Sequence, residues 1–198
     1  MSADPYCYDN TDVLKNKFNI RDPDKLSEFE LGASYTRYTS PVALTLSPGG
    51  ICQIHYHLFQ DVYPWAGEIR SVEISKPGAP FCRPQFIEQE LKKLTATMNT
   101  DTDLKSADPR KFATSAGKHI IELNAIHPFR EGNGRTNRLI LELLAEHAGH
   151  KLSIPRSAQA RWMSASKIGL NYGKSDAMAD LIYDHIDKGR EDQKNTGR

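Results

Sequence analysis

Cysteine is scarce in this chain: Cys7, Cys52 and Cys82 are the only three in 198 residues, and no two stand at CxxC spacing. An odd, scattered set excludes a fully paired disulfide scaffold and the usual ligand pattern of a structural zinc site. Charge of one sign is missing too, since 26 Lys and Arg face 25 Asp and Glu. No global field therefore selects a nucleic acid or a membrane surface, and neither is expected as a direct partner. No apolar run approaches the roughly 18–20 residues that span a bilayer. The opening MSADPYCYDN has neither the basic region nor the apolar core of a secretory leader, so cytosolic residence is the expectation. Internal repeats, low-complexity tracts and long Gly/Ser linkers are also lacking. What remains is a single domain over residues 1–198, with a core at about 12–187 and a flexible tail at 188–198.

Most of the chain follows a 3.6-residue apolar period broken by Pro, Gly and short polar clusters. The spacing predicts a short helix over 13–18 and longer ones over 25–39, 51–59, 109–126, 135–148, 157–168 and 175–187, with another opening near Pro84. Between Gly67 and Cys82 the period changes. Ile69, Val72 and Ile74 suggest an extended segment, and Lys76-Pro77-Gly78-Ala79-Pro80 suggests the tip of a β-hairpin returning through Phe81. The preceding turn, Tyr63 to Gly67, reads as packed aromatic structure with Trp65 as a core anchor.

The chemistry concentrates in twelve residues between two helices, His127-Pro128-Phe129-Arg130-Glu131-Gly132-Asn133-Gly134-Arg135-Thr136-Asn137-Arg138. Gly132 and Gly134 free the backbone to turn its N–H groups inward, and a helix opening beside them adds its positive end, which makes a nest for phosphate oxygens. Glu131 is a carboxylate suited to Mg²⁺, an ion that favours one or two carboxylates together with substrate phosphates and water. Asn133 offers an amide, and Arg135 and Arg138 offer planar forks. His127 has the proton affinity of a general base near neutral pH. Each residue alone has a plainer reading: a capping histidine, a glycine turn, a solvated carboxylate, arginines in surface salt links. A mere helical connection has no need of base, acid, nest and two forks in this order.

The string resembles the Fic-domain signature, His-x-Phe-x-Asp/Glu-Gly-Asn-Gly-Arg-x-x-Arg, at all eight specified positions: His127, Phe129, Glu131, Gly132, Asn133, Gly134, Arg135 and Arg138. The resemblance extends to residues 59–70 and 145–152 and covers roughly residues 10–187. It implies a mainly α fold, a Fic-type helical bundle with a short β-hairpin flap over the active site. It also implies transfer of AMP from ATP to a hydroxyl side chain of a target protein. Carried over by position, His127 is the general base and Glu131 the Mg²⁺ ligand. Gly132, Asn133, Gly134, Arg135 and Arg138 bind the nucleotide, Arg138 holds its terminal phosphate, and Phe129 anchors the loop in the core. Ser75, Lys76, Pro77, Gly78, Ala79, Pro80 and Phe81 form the flap that aligns an extended target segment. Doc-like members have lysine where Gly134 stands, so Gly134 favours AMP transfer over phosphate transfer.

Many members of this family carry a restraining helix with the pattern Ser/Thr-x-x-x-Glu-Gly/Asn. The nearest string here, Ser27-Glu28-Phe29-Glu30-Leu31-Gly32, has the wrong spacing. The resemblance is therefore to the toxin class inhibited by a separate small antitoxin. The expected protein is a bacterial cytoplasmic toxin, with type II topoisomerase ATPase subunits as suggested targets. The alternatives are a Fic module of a secreted effector acting on host proteins, and a non-enzymatic nucleotide-responsive binding module.

Overall fold

Four helices open in the same way, each with a proline at its first position, where the missing N–H and the fixed φ carry no penalty. They are α1 (Pro23–Tyr38), α2 (Pro48–Phe59), α3 (Pro84–Thr100) and α4 (Pro109–Ile126). Asp22, Ser47 and Asp108 precede three of them, and their side chains accept the first free N–H groups, the satisfaction that makes these residue types good N-caps. The remaining helices are α5 (Asn133–His147), α6 (Gln159–Tyr172) and α7 (Asp176–His185). The computed structural model describes residues 4–76 and 79–187. The expected tail over 188–198, and the tip residues Pro77 and Gly78, lie outside them.

α4 is the axis of the bundle. It packs against α3, α5, α6 and α7, and its buried side chains, among them Phe112, Ala116, Ile120 and Leu123, point around most of its circumference. Close approach to α7 requires Gly117, where a β-carbon would stand 2.8 Å from the Ala179 nitrogen. α2 and α5 pack together on another side, so the C-terminal end of α4 and the N-terminal end of α5 meet above a core that includes Phe59, Ile126 and Phe129. That junction holds the motif. No helix among the described residues is long and apolar enough to cross a membrane.

Two expectations need correction. The helix over 13–18 does not form. Instead Cys7 bridges Leu14 in antiparallel fashion, and the Asn16 amide binds the Leu14 and Ile20 carbonyls and accepts from the Phe18 and Ile20 N–H groups. These local bonds displace the helical ones. The β-hairpin flap is also overturned. Residues 69–74 are not strand, and the only sheet pairing among the described residues is two against two, Ser75–Lys76 with Ala79–Pro80. Next to it the Phe81 N–H still reaches the Ile74 carbonyl at 3.2 Å, but further out the main chain is committed elsewhere: Arg70 N–H donates to the Pro128 carbonyl at 2.9 Å and Cys82 N–H to the Ala125 carbonyl at 3.1 Å. Pro77 and Pro80 have no N–H to extend a ladder. Among the described residues the fold is a helical bundle without the expected β-hairpin flap.

Candidate active site

α4 ends at its C-cap, His127, which takes the left-handed conformation with φ 50° and ψ 63°. This region is uncommon for a side-chain-bearing residue and is usually filled by glycine at a helix end. The turn directs the imidazole back over the last turn of α4. Its Nδ1 lies 3.3 Å from the Asn124 carbonyl, and since a carbonyl only accepts, that bond fixes the tautomer with Nδ1 protonated and the lone pair on Nε2. The Phe81 ring stacks on the imidazole at 3.7 Å between centroids and 12° between planes. Among the described residues of the segment 75–81, this ring stacks on His127.

The loop from His127 to α5 is closed from inside. Asn133 is buried, and its Oδ1 accepts the Phe129 N–H at 3.0 Å while its Nδ2 donates to the Phe129 carbonyl at 2.8 Å. Its amide thus braces the loop, a role different from the ligand donor expected of it. Phe129 is buried as the resemblance implies and stacks on His55 at 3.9 Å. His55 is fully buried. Its Nδ1 accepts the Gly67 N–H at 2.8 Å and its Nε2 donates to the Glu131 carbonyl at 3.0 Å. Burial, reinforced by Arg135 and only partly opposed by the bond to Glu131, pushes its pKa down to about 3, so the ring is neutral. Trp65 packs beside it as a buried anchor, stacked on Tyr63 at 4.2 Å.

Gly132 precedes α5 with φ 80°, and a β-carbon there would lie 2.4 Å from two ring carbons of Phe59. No side chain caps the start of α5. The N–H groups of Asn133, Gly134 and Arg135 therefore have no intrahelical acceptor, and the helix presents its positive end. Gly134 is exposed, and nothing lies within 4 Å of where its β-carbon would be. Anionic oxygen can approach the backbone closely there.

Glu131 is exposed, with Oε1 accepting the Gly132 N–H at 2.9 Å and standing 3.8 Å from the Arg135 guanidinium. No cluster of three His, Cys, Asp or Glu suited to a metal exists among the described residues. A divalent ion at Glu131 would take the rest of its coordination from substrate phosphates and water, which fits Mg²⁺.

The two arginines diverge. Arg135 turns to α1, where it pairs with Glu30, donates to Ser34 Oγ at 3.0 Å and lies over the Phe59 ring at 4.7 Å. Glu30 also accepts from the Tyr63 hydroxyl. Arg138 turns to α6, donating to Gln159 Oε1 at 3.0 Å with its guanidinium 5.1 Å over Trp162. Glu30, set aside in the sequence for its spacing, thus meets the first motif arginine. His55 was visible only as one more member of an apolar helix face, and Arg70 only as the last residue of a segment resembling the family. Their partners stand 76 and 57 positions away.

A cavity of about 420 Å³ is lined by Asn124, whose carbonyl holds the His127 ring, and by Met163, Ser166, Lys167, Leu170 and Asn171 of α6. A larger cleft of about 1090 Å³ runs along α5 past Leu139, Glu142 and Glu146. It holds none of the motif residues, so chemistry and not volume identifies the site.

The helix junction, the left-handed histidine and the uncapped, open start of α5 have the arrangement that the motif resemblance implies. The model of the Fic/DOC family matches residues 45–145, and the chain belongs to that family. A probable protein adenylyltransferase of Sinorhizobium fredii is 38% identical over 168 residues, 82% of this chain and 85% of the relative. The BepC protein of Bartonella tribocorum, a VirB-translocated effector solved with AMPPNP, superposes with a TM-score of 0.83 at 31% identity over 92% of this chain and 96% of its own. The N-terminal Fic domain of a VirB-translocated effector from Bartonella quintana, solved with ADP, gives 0.83 at 28% identity, covering 92% and 94%.

Proposed function

We propose that the protein is an adenylyltransferase that moves AMP from ATP to a hydroxyl side chain of a target protein. The observation that carries this is the junction itself: a histidine whose Nδ1 is held at the Asn124 carbonyl, one short braced loop away from an uncapped helix end. The phosphates lie against the N–H groups of Asn133, Gly134 and Arg135, and Arg138 reaches the terminal phosphate. The cavity beside Asn124 takes the base, for which its apolar walls and the Asn171 amide are suited. Relatives with AMPPNP and ADP bound support adenine nucleotide as the ligand.

His127 Nε2 accepts the proton of the target hydroxyl as its oxygen bonds to the α-phosphorus. The bond from that phosphorus to the α,β-bridging oxygen breaks, and pyrophosphate leaves. The nest neutralises charge as it develops on the phosphates. Glu131 would hold Mg²⁺, which supplies further charge neutralisation across the phosphates when bound.

The setting supported better than the expected toxin is that of a Fic module of an effector, since both solved structures above are VirB-translocated effector proteins. The toxin held by a small antitoxin is the lesser reading, and a 1:1 complex on co-expression with a co-encoded small protein would favour it. The deciding experiment incubates the protein, and separately His127→Ala, with ATP, Mg²⁺ and either bacterial or eukaryotic lysate, followed by intact-mass analysis. A His127-dependent gain of one AMP on a protein is expected. Equal labelling by His127→Ala would remove the base, and no labelling in either lysate would count against protein acceptors.

A further inference from the structure

Arg70 is an arginine with 1% of its surface exposed, and among the described residues every hydrogen-bond acceptor of its side chain is a carbonyl oxygen. Its Nε donates to the His127 carbonyl at 2.8 Å, Nη1 to Val72 at 2.6 Å, and Nη2 to Cys82 at 2.5 Å and to Ile126 at 3.4 Å. Its own N–H donates to Pro128. One residue therefore takes three consecutive carbonyls, those of Ile126, His127 and Pro128. The last carbonyls of a helix lack intrahelical donors and carry its negative end, so a fork of five N–H groups placed there satisfies both needs at once.

The geometry on either side of the base passes through this side chain. Below, the left-handed backbone of His127 turns its carbonyl out of the helix and onto Arg70 Nε. Above, the Cys82 carbonyl, bound to Nη2, fixes the chain directly after Phe81, whose ring stacks on the imidazole. A backbone conformation that disfavours β-carbon-bearing residues persists only where its surroundings over-determine it, and these bonds do so. The aromatic face and the backbone of His127 share one anchor.

We propose that Arg70 is the positioning residue of the base, holding His127 in its left-handed conformation and against Phe81 so that the imidazole meets the incoming hydroxyl. This rests on His127 being the base. Arg70 touches none of the residues of the phosphate nest, so its role separates from nucleotide binding.

Two variants and one measurement on the unaltered chain test it. Arg70→Lys keeps the charge but loses the fork, and Arg70→Gln loses the charge. In the folded variants, affinity for a non-hydrolysable ATP analogue should stay within about twofold, since the nest is intact, while kcat for AMP transfer falls about a hundredfold, as expected for a displaced catalytic group. The His127 ring protons, shifted upfield by Phe81, should move back toward unstacked positions in the NMR spectrum. In the unaltered protein the Nη protons of Arg70 should be individually resolved, because rotation of the guanidinium is blocked. Folded variants with normal kcat and unmoved His127 signals would overturn the proposal. So would a single averaged Nη signal, and so would loss of the fold in both variants, which would make Arg70 a residue of the fold alone. If His127→Ala still transfers AMP while Arg70→Lys displaces the ring signals, the base assignment fails and the anchoring of His127 stands.

Discussion

Alanine placed at Gly132 and at Gly134 should give opposite results, although the two positions are two residues apart. At Gly132 the backbone has φ 80°, and the new methyl would stand 2.4 Å from two carbons of the Phe59 ring and 3.1 Å from a third. The left-handed conformation costs an L-residue roughly 1–2 kcal/mol, and overpacking of this kind roughly 1–3 kcal/mol. The sum is a destabilisation of about 2–5 kcal/mol, or a fall in Tm of roughly 4–20 °C for a chain of this size. At Gly134 nothing lies within 4 Å of the added carbon. The backbone there is helical, so alanine should leave Tm unchanged or raise stability by up to about 1 kcal/mol. The open space, however, is where phosphate is proposed to meet the backbone. The methyl should therefore weaken binding of an ATP analogue about tenfold, the equivalent of roughly 1.4 kcal/mol. Calorimetric melting without nucleotide and titration calorimetry with it separate the two effects. Combining Gly132→Ala with Phe59→Leu should recover part of the lost stability, visible as a coupling energy in a double-mutant cycle. Gly132→Ala melting like the parent would refute the packing argument. Unchanged nucleotide affinity in Gly134→Ala would refute the nest.

Three further expectations follow from the same contacts. His55 is held neutral with its pKa near 3, below the ordinary 6.5 of the unfolded chain, so the unfolded state binds the proton first and stability is lost as pH falls from about 6.5 toward 3. His55→Gln should flatten that slope in urea titrations at pH 7.5 and 4.5, and a parent-to-variant difference independent of pH would contradict it. Glu131→Ala should raise the Mg²⁺ concentration needed for half-maximal transfer, and an unchanged metal titration would remove its ligand role. Arg138→Ala gives up one exposed hydrogen bond and a contact over Trp162, together worth about 1 kcal/mol or less. It should therefore raise KM for ATP with little change in Tm, and loss of the fold with normal activity in the remaining folded fraction would make Arg138 structural.

Much of the bundle was legible because its signals are local. Apolar periods mark α1, α2 and α4, although that spacing places the starts of α1 and α2 at 25 and 51, two and three residues late. The motif was legible because its residues are contiguous. The differences arise where hydrogen bonds that apolar spacing does not register, some local and some distant, decide the outcome. Asn16 draws its neighbours out of a helical pattern through amide bonds that apolar spacing does not register. The segment around 69–82 has the composition of a hairpin, yet its main-chain donors at Arg70 and Cys82 are captured by the end of α4. The Asn133 amide closes the loop on Phe129, a role that its place in the motif does not reveal. His55 and Glu30 carry meaning only through Glu131 and Arg135, which the fold brings to them from the other half of the chain.

The left-handed φ of His127 also bears on how this sequence can drift. A helix end in that conformation is best served by glycine, so local folding preference and chemistry ask for different residues at one position. Chemistry prevails only while transfer is under selection. In a lineage that no longer needed the reaction, glycine at 127 would remove the backbone strain and, on the role proposed for His127, silence transfer in one step. Such a descendant could keep its bundle and its nucleotide nest, and survive as a binding protein built on the same scaffold.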